Sequence, residues 1–238
     1  MKSNYKARRL VVLLIVAIFS LSGLAYDIAR NEFASRPPTA PKTEDKEQSV
    51  ANGEAVKVLA TLQVKGRAPK TGYERSQFGG GWESRGGCDV RNLILQRDLE
   101  NTQINEECQV TVGILDDPYT GREIEFRRGE ITSAEVQIDH VVALSNAWQT
   151  GAQQISRAER VALANDPLNL LAVDGDANQQ KSDGDAATWL PAEKSFRCQY
   201  VARQIAVKEA YTLWVVPAEK DAMLRVLATC PGQQMPIQ

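Results

Sequence analysis

QIDHVVALSNAW, residues 137–148, holds the chain's one histidine, His140, directly after Asp139. Around it the apolar residues Val136, Ile138 and Val142 alternate, a period-two pattern that predicts a strand or a tight hairpin arm ending at the imidazole. Downstream, PLNLLAV (167–173) reads as a short buried strand. DGDANQQKSDGDAATWL (174–190) starts with turn residues and runs into a helix. His140 then ends one strand, Asn169 begins the next, and Asn178 and Lys181 lie at the start of the helix. Strand, turn, strand and helix in that order, with polar residues at the joints, predict an α+β fold.

The rest of the chain supplies flanking elements. GEAVKVLATLQVKG (53–66) carries apolar residues at 56, 58, 59 and 62 and predicts a short amphipathic helix capped by Gly66. FGGGWESRGG (78–87) reads as a flexible loop. It leads into CDVRNLILQRDLE (88–100), a helix whose Leu93 and Ile94 face the core. CQVTVGILDDPYTGREIEF (108–126) predicts two strands joined by an Asp-Pro and Thr-Gly turn, an additional β-hairpin. SRAERVALAND (156–166) opens with Ser156 and has Glu159 three residues on, a capping box. Further helices are expected around Arg197–Ala210 and Pro217–Ala228, the second opened by a first-turn proline.

At 238 residues and 43% apolar content, one well-buried domain plus a tail is expected. The tail has two parts. MKSNYKARR followed by the uncharged LVVLLIVAIFSLSGLA (10–25) has the basic-then-apolar order of a signal peptide or signal anchor over residues 1–25, a segment that engages the secretion machinery and, as an anchor, the membrane. Residues 26–52 are polar and proline-bearing, an extended linker. Residues 53–238 form the folded domain. The expected location is exported: secreted, periplasmic or at the cell surface. Cys88, Cys108, Cys198 and Cys230 suit that compartment as two disulfides and contain no CxxC pair of the zinc-ribbon kind. Three connectivities are open, of which Cys88–Cys108 with Cys198–Cys230 closes two modest loops.

Net charge is −2, and removal of residues 1–25 takes away four basic groups and no acids, leaving −6. A protein held to nucleic acid by bulk charge would be basic. Any phosphate contact must come from a local patch, for which Arg85, Arg91 and Arg97 near Trp82 are candidates. Their alternative role is pairing with Glu83, Asp89 and Asp98 as ordinary packing arginines.

Asp139–His140 alone says little, since a lone histidine commonly serves as a hydrogen-bonded structural residue. The surrounding order of elements gives the pair its chemistry. An aspartate and an asparagine oxygen can hold a hard divalent cation, and a neighbouring neutral imidazole can take a proton from water attacking a phosphodiester. Asn178 and Lys181 are three apart and share a helix face, which predicts that Lys181 neutralises a phosphate oxygen. Asp116 and Asp117 suit a turn, and Trp148 and Trp189 suit core anchors. Asp174, Asp176, Asp183 and Asp185 look EF-hand-like but lack the terminal glutamate that calcium requires.

IDHVVAL with NLLAVDGDANQQKSD resembles the HNH endonuclease family. The likeness extends through CDVRN, DPYTG, DHVVALSNAW, NDPLNLLAV and the late CQYV, from about Val56 to Cys230. The resemblance implies a ββα-metal (His-Me finger) core with flanking helices. It makes Asp139 and Asn178 the metal ligands and His140 the general base, with Asn169 bracing the loop that holds it. Where many members have a histidine, this chain has Asn178, an oxygen donor that favours Mg²⁺, or Mn²⁺, over Zn²⁺. The implied activity is cleavage of DNA, or RNA, leaving a 5′-phosphate, with no obligate protein partner. Two rival functions are a non-catalytic extracytoplasmic binding module and a phosphodiesterase acting on small molecules.

Overall fold

The apolar alternation around His140 forms a strand that is hydrogen-bonded to one neighbour along its edge and packed against core residues. In the computed structural model the described residues are 54–129 and 132–236. The leader (1–25) and linker (26–52) expected from the sequence lie outside them. Helix α1 (Ala55–Thr61) comes first, followed by a 3₁₀ turn at Arg75–Phe78 and the two-residue strands β1 (Ser84–Arg85) and β2 (Cys88–Asp89). Helix α2 (Val90–Asp98) leads into a three-stranded sheet of β3 (Glu100–Ile104), β4 (Val110–Asp116) and β5 (Glu123–Arg127), in the order β3-β4-β5. Then come β6 (Val136–His140), α3 (Leu144–Ala147), a turn at Trp148–Ala152 kinked at Thr150 and Gly151, α4 (Arg157–Asn165) and β7 (Leu170–Asp174). The chain finishes with α5 (Gly175–Lys181), α6 (Arg197–Ala210) and α7 (Pro217–Leu227). Helices and small antiparallel sheets are mixed, as an α+β fold requires.

β6 and β7 pair antiparallel, with Ile138 opposite Ala172 and His140 opposite Leu170. One face of the pair joins a core of Val90, Ile94, Leu95 and Phe126. Leu171 and Val173 point the other way, into a larger core with Tyr200, Ile205 and Met223. α5 follows β7 without a loop. Gly175 allows this, because a β-carbon there would collide with the Ala134 carbonyl, while its N–H donates to Glu135 O at 2.9 Å. Asp174 caps α5 by accepting from Ala177 N.

Several local expectations change once packing is known. α1 stops at Thr61, one full turn before Gly66, and it buries Ala55, Val58 and Leu59 while Val56 is exposed. In α2 the buried pair is Ile94 and Leu95, with Leu93 only half-buried. The chain turns at Leu99 into β3, whose exposed, polar residues carry no alternation to announce a strand. The Ser156–Glu159 capping box is formed on α4.

Two disulfides join Cys88 to Cys108 and Cys198 to Cys230, with Cα separations of 5.3 and 6.5 Å. The first fastens β2 to the turn before β4; the second ties the start of α6 to the chain beyond α7. Loops of this size stabilise by about 3 kcal/mol each in the chain-entropy account. Among the described residues no helix is long and apolar enough to cross a membrane.

Candidate active site

Period-two geometry sends consecutive residues of β6 to opposite faces. Gln137 and Asp139 therefore turn toward α5, and His140 turns toward Trp82. The ends of these side chains border one cleft of about 540 Å³, to which Arg75, Asn178 and Asp183 also contribute.

His140 is held on two sides. Its Nε2 lies 2.9 Å from the Ala164 carbonyl oxygen at the end of α4. A carbonyl only accepts, so Nε2 carries the hydrogen, and in the neutral ring Nδ1 keeps its lone pair. Nδ1 has no hydrogen-bond partner among the described residues. The ring is stacked on Trp82, with centroids 5.7 Å apart and planes 9° from parallel. Burial leaves only 7% of the residue exposed, at the cleft and at a smaller cavity beside Trp82. Burial is also the main reason its pKa falls to about 4, opposed by the Ala164 carbonyl and Asp139 and assisted by Arg75 and Lys181. At neutral pH the imidazole is uncharged.

Asn169 is fully buried and braces the turn that follows His140. Its Oδ1 accepts from Val142 N at 2.8 Å, and its Nδ2 donates to the carbonyls of Val142 and Leu163. Its own carbonyl accepts from Val141 N. Four hydrogen bonds thereby fix residues 141 and 142 against α4, the same helix that orients the ring.

Asp139 is buried and doubly engaged. Oδ1 accepts from Lys181 Nζ at 2.9 Å, and Oδ2 from the Tyr119 hydroxyl. Burial, and then the charge of Asp139, push the Tyr119 pKa well up, so the phenol stays a donor. Asn178 has its orientation set by a short relay. Gln137 must give its amide N–H to the Ala134 carbonyl, so its Oε1 faces Asn178 and accepts from Asn178 Nδ2 at 2.9 Å. That turns Asn178 Oδ1 away, with no hydrogen bond to it among the described residues.

The donors this cleft offers to a cation are oxygens. An ionised carboxylate offers about four acceptor sites, so Asp139 keeps lone pairs beyond its two bonds, and Asn178 presents a free amide oxygen. Two oxygens suit a hard ion that retains most of its water, such as Mg²⁺. Among the described residues no group of three or more His, Cys, Asp or Glu side chains forms a fuller cage. The acidic run after β7 is dispersed: Asp174 caps α5, Asp183 accepts from Ser145 and Lys70, and Asp185 pairs with Arg67.

The four residues expected to meet phosphate all have partners within the protein. Lys181 has a fully buried side chain whose ammonium donates to Asp139 and to the His140 carbonyl, so it supports the site from beneath. Arg97 is bound to Asp98 and to the carbonyls of Pro167 and Leu170, clamping α2 to β7. Arg85 donates to Asn165 O and Arg91 to Val136 O. All four donate to backbone carbonyls. Asp117 is a turn residue as expected, accepting from Thr120 and from Asp174 N. Trp148 and Trp189 pack on aromatic neighbours. The positive groups that do border the cleft are Lys70 and Arg75, which sequence reasoning passed over because residues 66–82 show no periodicity.

Residues 89–226 match the family model described as GmrSD restriction endonucleases, C-terminal domain. An uncharacterized secreted protein of Arthroderma benhamiae is 37% identical over 178 residues, covering 74% of this chain and 84% of that protein. No solved structure matches.

Proposed function

The chain belongs to the family of GmrSD restriction endonuclease C-terminal domains, and from that premise we propose that it is an exported, divalent-metal-dependent endonuclease of DNA. The observation that carries the reading is the state of His140: a neutral imidazole with Nε2–H tied to Ala164 and Nδ1 unpartnered, at a cleft shared with Asp139 and Asn178.

In this reading β6, β7 and α5 are the ββα-metal core. Asp139 and Asn178 would hold the cation, Mg²⁺ by the hardness of their oxygens, with Mn²⁺ as substitute. When bound, the ion stabilises negative charge developing on the phosphate and the leaving oxygen. His140 Nδ1 takes a proton from the attacking water as its oxygen bonds to phosphorus. The phosphorus–O3′ bond breaks, so the products are a 3′-hydroxyl and a 5′-phosphate. Ala164 holds the ring in the tautomer this step needs, and Asn169 fixes the turn beneath it. Lys181 and Tyr119 hold the Asp139 carboxylate in place. Export is supported by the basic-then-apolar leader, the two disulfides and the likeness to a secreted fungal protein.

The test is supercoiled plasmid incubated with protein and Mg²⁺, with and without EDTA, beside single-stranded RNA and a small chromogenic phosphodiester. Plasmid nicking that EDTA abolishes is expected. Binding without turnover would indicate a recognition module, and turnover of the small diester alone would indicate a small-molecule phosphodiesterase.

A further inference from the structure

The family match begins at Asp89, yet one wall of the cleft is built by residues before it. That wall is fastened to the helix that orients the histidine. Arg160 of α4 donates to the carbonyl and the side chain of Gln77. Phe78 is buried, with its ring 6.3 Å from Trp148. Glu83 N donates to Asn165 Oδ1 at 2.9 Å, one residue past the Ala164 carbonyl that holds His140. The segment from the 3₁₀ turn to Glu83 is thus locked beside the imidazole at both ends.

Within this wall Arg75 is distinctive. It borders the cleft on one side of His140 and the smaller cavity, about 190 Å³, on the other. Its side chain is exposed and makes no ion pair or hydrogen bond among the described residues. Neighbouring cations differ: Lys70 is paired with Asp183 at 3.2 Å, and Arg67 with Asp185 at 2.6 Å. A phosphodiester carries one negative charge on two non-bridging oxygens, and a guanidinium fork matches that pair in geometry and sign. With a net charge of −2 the protein attracts polyanions only through such local cations.

We propose that Arg75 grips the non-bridging oxygens of the phosphate to be cleaved, so that the segment preceding the family-matched stretch completes the active site. The inference rests on the nuclease reading for its catalytic arm, while its binding arm is independent of turnover.

The experiment uses the full chain and the variants Arg75→Ala, Arg75→Gln and Arg75→Lys, with Arg127→Ala on the exposed edge of β5 as a charge-matched control. Binding of a short DNA duplex is measured in EDTA across a salt series, and cleavage in Mg²⁺. Loss of one phosphate contact makes the log–log salt slope shallower by about 0.9. We expect that change in Arg75→Ala and Arg75→Gln but not in the control, with cleavage reduced roughly ten- to a hundredfold, the effect of losing one charge-assisted hydrogen bond. Arg75→Lys should keep the slope and recover cleavage only in part. Near-UV circular dichroism checks folding, and the glutamine variant stands in where alanine disturbs the turn. A wild-type slope and rate in Arg75→Gln, an equal loss in Arg127→Ala, or no DNA binding by the wild type would each overturn the proposal. A wild type that binds with an Arg75-dependent slope but never cleaves would instead remove the catalytic reading of His140 and leave Arg75 as an anion contact.

Discussion

His140 Nε2 and the carbonyl oxygen of Ala164 lie 2.9 Å apart, a bond spanning 24 residues from the end of β6 to the end of α4. It fixes which ring nitrogen is available, and it makes the reactive state of the imidazole depend on the docking of α4. Because the chain has one histidine, its nitrogen resonances can be read without assignment by mutation. The expected spectrum at neutral pH is that of a neutral ring protonated at Nε2; an Nδ1-protonated or cationic ring would contradict the geometry.

The pH dependence follows from burial. The folded pKa of about 4 lies below the ordinary 6.5, so the unfolded chain takes up the proton first. The stability linked to this group is fully present above 6.5 and is lost as pH falls through about 4. The base itself should stay neutral, and activity should hold, well below pH 6.5. A pH–rate profile whose acid limb falls near 6.5 would show that the ring titrates as an exposed one does.

Removing one member of the buried Lys181–Asp139 pair leaves the other uncompensated, which costs about 3–5 kcal/mol in comparable sites. Lys181→Ala should therefore lower stability by that order in urea titration, besides reducing turnover. A variant as stable as wild type but weaker for DNA would mean that the lysine reaches phosphate after all.

Asn169→Ala removes the brace on Val141–Val142 and leaves buried backbone groups unpaired, each worth about 1–3 kcal/mol. Cleavage should fall together with stability, because the turn carrying His140 loosens. Full activity in this variant, measured well below its melting temperature, would count against the bracing role.

Asn178→Ala and Gln137→Ala separate ligand from orienter. The first should weaken Mg²⁺ dependence strongly, and the second more mildly, since Gln137 acts only by turning the Asn178 amide. Calorimetric titration with Mn²⁺ in the absence of DNA reads both. Unchanged affinity in Asn178→Ala would remove it from the ligand set.

The strands that carry this site could be read from periodicity, while the roles expected of its residues came from the resemblance to HNH endonucleases. Alternation at 136, 138 and 142 marked β6, the apolar run before Asp174 marked β7, and the structure brings His140, Asp139 and Asn178 to one cleft. Local cysteine pairing was likewise one of three open choices and is the one formed. Roles that depend on tertiary burial were not readable. Lys181 shares a helix face with Asn178 as its spacing requires, but nothing in a three-residue offset tells whether that face looks outward or onto Asp139. Arg97 is engaged by its neighbour Asp98 and by carbonyls seventy or more residues away, and the latter leave no trace in the local sequence. Trp82 and Arg75 sit in a glycine-rich stretch with no repeat, and the placement of one on the histidine and of the other at its cleft is set by where α4 anchors that stretch.

Plasmid cleavage by His140→Ala, purified and shown by circular dichroism to keep the wild-type fold, is the most direct trial of the assignment. Wild type should nick supercoiled DNA in Mg²⁺ and the variant should leave it intact at the same protein concentration. Nicking by the folded variant at the wild-type rate would contradict the account.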